Sequence, residues 1–379
     1  MRVAVAIDSF KGSLSTFQSG EAVAEGISRV YDNARVDIRP IADGGEGTVD
    51  AIVSACGGEI ISASVCDPLG RRINAEYGYV KSTGTAVIEM SAAAGLTLIS
   101  PEERNPMLTT TYGVGEMIAD AIGRGCRKFI VGIGGSATND GGFGMLSALG
   151  FEFLDKDGKK IELGAKGLEA LAEIKTEGAL PELSECEFWV ACDVKNPLCG
   201  ELGCSAVYGK QKGATPEMIE KMDLWLLKYA ELTEKIKTDA DANFEGAGAA
   251  GGMGYAFLAY LGGKLRSGIE IVIEATGLEE YIKNADVVVT GEGRLDGQSC
   301  MGKAPIGVAR LAKKYGKTVI AFSGCVSEDA RQCNDHGIDA FFPIVRTPCT
   351  LDEAMDIENA KRNLGDTAEQ VFRVLKIKK

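Results

Sequence analysis

The sequence predicts an α/β protein: a doubly wound, mostly parallel sheet domain, discontinuous in sequence, with an inserted mixed α/β domain. Three observations predict it. Short apolar runs alternate with helical spacing near both ends of the chain. A stretch with a strand-only rhythm interrupts that alternation. Four apolar runs also feed turns rich in glycine and acid, the junctions at which α/β proteins hold small ligands.

Taken in order, Arg2–Ile7 is short, Val-rich and reads as a buried strand. Residues 16–30 carry Phe17, Ala22, Val23, Ile27 and Val30 at helical spacing. A second strand at 36–41 and a second helix at 47–56 complete a β-α-β-α opening. The rhythm then changes. Residues 60–65, 73–80 and 85–90 read as strands separated by Asp67-Pro68-Leu69-Gly70 and Ser82-Thr83-Gly84, which is a meander. A helix at 111–123 leads into a strand at 128–133. Residues 151–161 contain Asp155-Lys156-Asp157-Gly158, a hairpin signal. A strand at 188–192, a long amphipathic helix at 216–237, a strand at 269–273 and a helix near 278–282 follow. From residue 285 the βα rhythm returns, with strands at 286–290, 318–323 and 340–344 and helices at 304–315, 328–332 and 359–375. The discontinuous domain is therefore expected at 1–62 and 284–379, and the insert at 63–283. Residues 128–150, themselves βα-like, fit either.

Composition narrows the function. Lys plus Arg number 41 against 54 Asp plus Glu, a net charge of −13. That argues against nucleic acid or an anionic membrane as a partner. An anionic substrate would need local positive charge, and Lys11, Lys195, Lys210, Lys212, Arg294 and Lys303 lie near glycine turns. The 11 cysteines are scattered with no C-x-x-C pair, so reduced thiols in the cytoplasm are the expectation. The apolar start reaches Asp8 too soon for a signal peptide. Residues 246–263 carry no charge, but their glycine content favours a buried turn and helix over a membrane span.

The four turns are Ala42-Asp43-Gly44-Gly45-Glu46-Gly47-Thr48, the run from Gly132 to Gly142, Ala191-Cys192-Asp193-Val194-Lys195-Asn196-Pro197, and Thr290-Gly291-Glu292-Gly293-Arg294-Leu295-Asp296-Gly297. Glycine lets backbone N–H groups approach an anion, and neighbouring carboxylates suit Mg²⁺. Lys11 and Lys303 each precede an expected helix start, where a cation is mildly unfavourable unless an anion joins it. The Walker phosphate loop and the protein-kinase signatures are absent. Two near-matches to the dinucleotide fingerprint, Gly246 to Gly251 and Gly132 to Ala137, keep a nucleotide-cofactor dehydrogenase of a small hydroxy acid open. A non-catalytic nucleotide or sugar-acid binding protein also stays open. His336, the sole histidine, sits in a polar turn, so a general base must be a carboxylate or a lysine.

Seven blocks occur in a fixed order. They are Asp8 to Ser15 (DSFKGSLS), Ala42 to Thr48 (ADGGEGT), Gly132 to Gly142 (GIGGSATNDGG), Ala191 to Leu198 (ACDVKNPL), Gln211 to Ala214 (QKGA), Gly246 to Gly252 (GAGAAGG) and Thr290 to Asp296 (TGEGRLD). With these the chain resembles the type-1 glycerate kinases from end to end. One departure is Tyr208-Gly209-Lys210-Gln211, where that family usually has Phe-Gly-Pro-Gln. The resemblance implies a two-domain α/β build, ATP and Mg²⁺, D-glycerate as substrate and 2-phosphoglycerate as product.

Roles are assigned by physical chemistry within that reaction. Gly44, Gly45, Gly134, Gly135 and Ser136 are expected to cradle phosphates. Ser9, Lys11, Ser13 and Lys303 are expected to bind phosphate or the glycerate carboxylate, and Arg294 to fork onto that carboxylate. Asp43, Glu46 and Glu292 are the expected metal-side acids. Asp193, ending an apolar strand before a stiff Pro197 turn, is the expected acceptor of the hydroxyl proton, with Lys11 beside it in catalysis. Since the motifs spread over both halves of the chain, the ligands are expected to bind between domains.

Overall fold

The computed structural model describes residues 1–377 and divides the chain into two compact units. The first comprises residues 1–43, 50–56 and 269–379, and the second residues 44–49 and 57–268.

The first unit is built on a five-stranded parallel sheet. Its order is Ala340–Pro343, Thr318–Val326, Val287–Leu295, Arg2–Ile7, Arg35–Ile38. The strand order reverses between the parallel neighbours Arg2–Ile7 and Val287–Leu295, which are in register from Val3 on Val287 to Ile7 on Gly291. Helix Thr16–Ser28 starts at Ser15, whose hydroxyl accepts from the Gln18 N–H while the Gln18 side chain accepts from the Ser15 N–H. Val5, Ile7, Ile27, Val289, Phe322, Leu364 and Phe372 form its core.

The second unit holds a six-stranded mixed sheet. Glu59–Cys66, Arg72–Val80 and Thr85–Glu89 run antiparallel, the meander expected from the sequence. Lys128–Gly132, Glu187–Ala191 and Lys264–Arg266 then add in parallel. Residues 128–150 therefore belong here. The core gathers Tyr77, Met117, Phe129, Phe188, Tyr229 and Phe257, with the Phe129 and Phe188 rings stacked at 4.7 Å.

Three local expectations need correction. Residues 269–273 are not a strand but part of helix Gly268–Thr276. The β-branched run suggests alternation, yet Ile269, Val272 and Thr276 are buried together and Glu270 and Glu274 are exposed, which is a helical period. The Asp155–Gly158 turn does form, but only a single bridge joins Leu154 to Lys160. The regular partner of Glu152–Leu154 is Glu173–Lys175. The division between units falls near 57 and 268 rather than 63 and 283. Strand Glu59–Cys66 pairs along its whole length inside the second unit, while Ile269 packs on Gly307 inside the first. Among the described residues no helix is long and apolar enough to cross a membrane.

Candidate active site

In open α/β sheets, ligands bind beyond the carboxyl ends of the strands where the strand order reverses. In the first unit that point lies between Asp8, which follows Arg2–Ile7, and Glu292 on Val287–Leu295. A pocket of about 400 Å³ opens there. It collects Ser9, Lys11, Ser13, Asp43, Glu292, Arg294 and Lys303 of the expected site residues and adds Asp8 and Asp296.

Local geometry explains each placement. The segment after the first strand folds into a tight turn, with the Phe10 N–H donating to the Leu14 carbonyl and Ser13 N–H to the Phe10 carbonyl. This turn lifts Lys11 into an exposed position. The Ser13 hydroxyl is shielded from solvent and has no hydrogen-bond partner among the described residues. Lys303 stands at the N-cap of helix Ala304–Lys314, with proline in its first turn as the sequence suggested. Arg294 pairs with Asp296 at 3.5 Å.

The acids are in strained electrostatic company. Asp8 is 5% exposed and Glu292 9%. Burial, then the neighbouring Asp43 charge, pushes the Asp8 carboxyl up to about 7 even though the Ser9 N–H donates to it at 2.7 Å. Burial also raises Glu292, against a hydrogen bond from the Ser299 hydroxyl and the nearby Lys303 charge. Among the described residues no three His, Cys, Asp or Glu side chains make a ready-formed metal cage. Mg²⁺ does not need one, since it is commonly held by one or two carboxylates plus water and substrate phosphates. Hard oxygen donors whose burial and mutual repulsion raise their pKa fit such a cation.

The remaining expected residues belong to the second unit. Its parallel strands end in line, with Glu89 opposite Gly132, Gly132 opposite Ala191, and Ala191 opposite Arg266. The glycine loop after Gly132 and the turn holding Asp193 therefore leave the same sheet edge. Gly44 approaches both strand ends. A Cβ on Gly132 would stand 2.2 Å from the Gly44 carbonyl oxygen, and one on Gly44 would meet the Ala191 Cβ at 2.4 Å. Gly134 lies near Gly45. Gly134 and Gly135 are exposed, and Gly135 has a left-handed φ of 74°. The loop is stitched to the preceding segment by Leu96 N–H to the Gly135 carbonyl and Ala137 N–H to the Ala94 carbonyl. Asp193 is exposed and accepts from the Gly268 N–H at 3.3 Å. Glu46 is exposed and does not line the first unit's pocket.

Two residues escaped the sequence reading. Asp8 opens the DSFKGSLS block and, like Asp193, follows a buried strand, which is the available signal. Lys212, in the QKGA block, is one of the cations near a glycine turn, but nothing local in the sequence marks it as buried. Asp140, by contrast, is fully buried and accepts from the Thr111 N–H at 2.8 Å and the Gly142 N–H at 3.1 Å, so it braces the loop.

The model of the glycerate kinase family matches residues 3–376. The chain is 48% identical over 378 residues to a glycerate kinase from Haemophilus influenzae, with both chains fully covered. It is 46% identical over 372 residues to the glycerate 2-kinase of Escherichia coli, covering 97% of this chain and 98% of that one. A solved structure assigned as a glycerate kinase 2 from Salmonella typhimurium LT2 matches with a TM-score of 0.92 at 47% identity, over 100% of this chain and 98% of the other. Sequence blocks, sheet order and full-length similarity converge on one conclusion: the chain belongs to the glycerate kinase family.

Proposed function

We propose that this chain transfers the terminal phosphoryl group of ATP to the 2-hydroxyl of D-glycerate, with Mg²⁺, giving 2-phosphoglycerate in the cytoplasm. The observation that carries the reading is the pocket at the strand-order reversal, where Lys11 and Lys303 stand with the carboxylates Asp8, Asp43 and Glu292. Phosphoryl transfer asks a protein for positioning and charge neutralisation more than covalent chemistry. That combination of cations and hard oxygen donors supplies both.

In this reading Lys11 and Lys303 neutralise phosphate or carboxylate oxygens, and Ser9 and Ser13 donate to them. Arg294 exchanges Asp296 for the glycerate carboxylate. Asp43 and Glu292 hold Mg²⁺ directly or through water, with Glu46 as a further candidate. The cation, when bound, neutralises charge on the phosphates. Gly44, Gly45, Gly134, Gly135 and Ser136 offer N–H and hydroxyl donors to ligand oxygens. His336 is exposed, so a carboxylate takes the hydroxyl proton, and Asp193 is assigned that role. Reduced thiols suit the cytoplasm, and all 11 cysteines are unpaired.

The test is direct. ADP should form only when ATP, Mg²⁺ and D-glycerate are all present, and phosphorus NMR should find the new phosphate on the 2-hydroxyl. ADP formation without glycerate would overturn the reading. Asp193→Asn keeps shape and removes the base, so kcat should fall about 10²- to 10⁴-fold with nucleotide affinity nearly unchanged. Loss of Mg-ATP binding in that variant would reassign Asp193 to the metal.

A further inference from the structure

Lys212 is 1% exposed, an unusual place for an ammonium group. It closes the short helical turn Lys210–Lys212, and its Nζ donates to the Ser136 hydroxyl at 2.9 Å and to the Thr138 carbonyl at 2.5 Å. It makes no ion pair among the described residues. The acid whose charge reaches it, Asp140, is already held by Thr111 and Gly142. A buried charge placed under an exposed glycine loop, without a direct counter-ion, calls for a reason.

The chemistry of the two groups supplies one. An ammonium has donors and no acceptor, so the Ser136 oxygen must accept from Lys212. Its own proton must then go elsewhere. Ser136 donates to no acceptor among the described residues. It is 7% exposed and directly follows exposed Gly134 and Gly135. Polarisation by Lys212 makes that hydroxyl a stronger donor, because linked hydrogen bonds reinforce one another.

We infer that Lys212 is a positioning residue that fixes the Ser136 hydroxyl as a donor to an oxyanion of the bound ligand, either the carboxylate of glycerate or a phosphate of the nucleotide. The inference deepens the proposed function and rests on it. Burial pushes the Lys212 pKa down to about 8, with Asp140 and Cys204 opposing the shift, so the ammonium form persists at neutral pH. A purely structural Lys212 would staple the loop through both contacts, and the Thr138 contact would survive removal of the Ser136 hydroxyl.

Steady-state kinetics of Ser136→Ala, Ser136→Thr, Lys212→Met and the double variant Ser136→Ala/Lys212→Met test this. Wild-type turnover in the same assay separates failure of this inference from failure of the proposed function. Ser136→Ala should raise one KM about tenfold or more with an unchanged melting temperature, and Ser136→Thr should restore most of it. A raised KM for glycerate names the carboxylate, and a raised KM for ATP names the phosphate. Lys212→Met should add little once Ser136 is alanine, since the lysine acts through the hydroxyl. Both KM values within twofold of wild type in Ser136→Ala would overturn the inference. So would fully additive penalties in the double variant. If Lys212→Met does not fold, the alanine and threonine variants of Ser136 decide alone.

Discussion

Lys11 and Asp8 sit three residues apart and carry opposite physical problems. Lys11 is exposed on a tight turn and lines the pocket. Lys11→Ala should therefore cost roughly 2 to 4 kcal/mol of transition-state stabilisation, the usual loss for one preorganised donor, while the melting temperature barely moves. A near wild-type kcat/KM would demote it to a solvated surface charge. Asp8 is buried beside another carboxylate, with its pKa raised from 3.8 to about 7. The folded state then binds more protons than the unfolded chain between those values. Stability from this group is present below about pH 4 and is lost as pH rises to about 7. In EDTA at pH 8, Asp8→Asn should be more stable than wild type by roughly 3 to 5 kcal/mol, and the gap should close at pH 4. Denaturant titration at the two pH values measures it, and an equal gap at both would show that ionisation is not the cause. Asp8 also marks a limit of sequence reading. Its identity is visible, but its pKa is raised first by burial and then by the charges of Asp43 and Glu292, and only the fold creates that burial and that approach.

At the scale of elements, the loops are held by close backbone approach more than by side chains. The Gly44 carbonyl occupies the space where a Gly132 side chain would stand. Gly132→Ala should therefore push the Gly44–Gly45 turn aside, cost about 1 to 3 kcal/mol as overpacking does, and cut activity more than stability. Equilibrium unfolding together with kcat/KM checks it, and an unchanged kcat/KM would show that the turn's position is not critical. Most elements were legible because buried parallel strands are short apolar runs and their helices carry clear spacing. The failure at residues 269–273 is instructive. Ile269, Ile271 and Ile273 alternate with Glu270 and Glu274, so a strand pattern and a helical one coexist until a partner is known. The structure settles it by burying Ile269 and Val272 on one helical face. The turn at Asp155–Gly158 failed differently: it was correctly placed, but pairing with Glu173–Lys175 lies outside any local signal. The αL residue Ala250, φ 53° within helix Ala249–Leu261, was equally invisible, since alanine gives no hint of that conformation.

At the scale of the whole molecule, the described residues of each unit gather a main hydrophobic core of their own. The alternation of rhythms along the sequence announced two architectures, and the convergence of distant segments on one sheet could be guessed from the return of the βα pattern. Each core should respond to its own substitutions. Phe372→Ala in the first unit should cost about 3 to 5 kcal/mol. Hydrogen exchange followed by mass spectrometry should then quicken in peptides spanning Arg2–Ile7 and Val287–Leu295, and leave Lys128–Gly132 protected. Equal loss of protection in both sets would mean that the units unfold as one.

The position of Arg2–Ile7 in its sheet also bears on how the protein is made. One of its two partners, Arg35–Ile38, follows closely, but the other, Val287–Leu295, lies about 280 residues further along. At translation speeds of about 5 to 20 residues per second, the ribosome emits the first strand on the order of 15 to 55 s before that partner. The whole insert is synthesised in the meantime and can close its own sheet. Throughout this interval an apolar strand destined for the middle of a sheet keeps one edge unpaired, the state most prone to wrong pairing with other nascent chains. The hazard belongs to the order of synthesis and not to the stability of the finished fold, so slower translation lengthens it and a chaperone that shields the early segment shortens its reach.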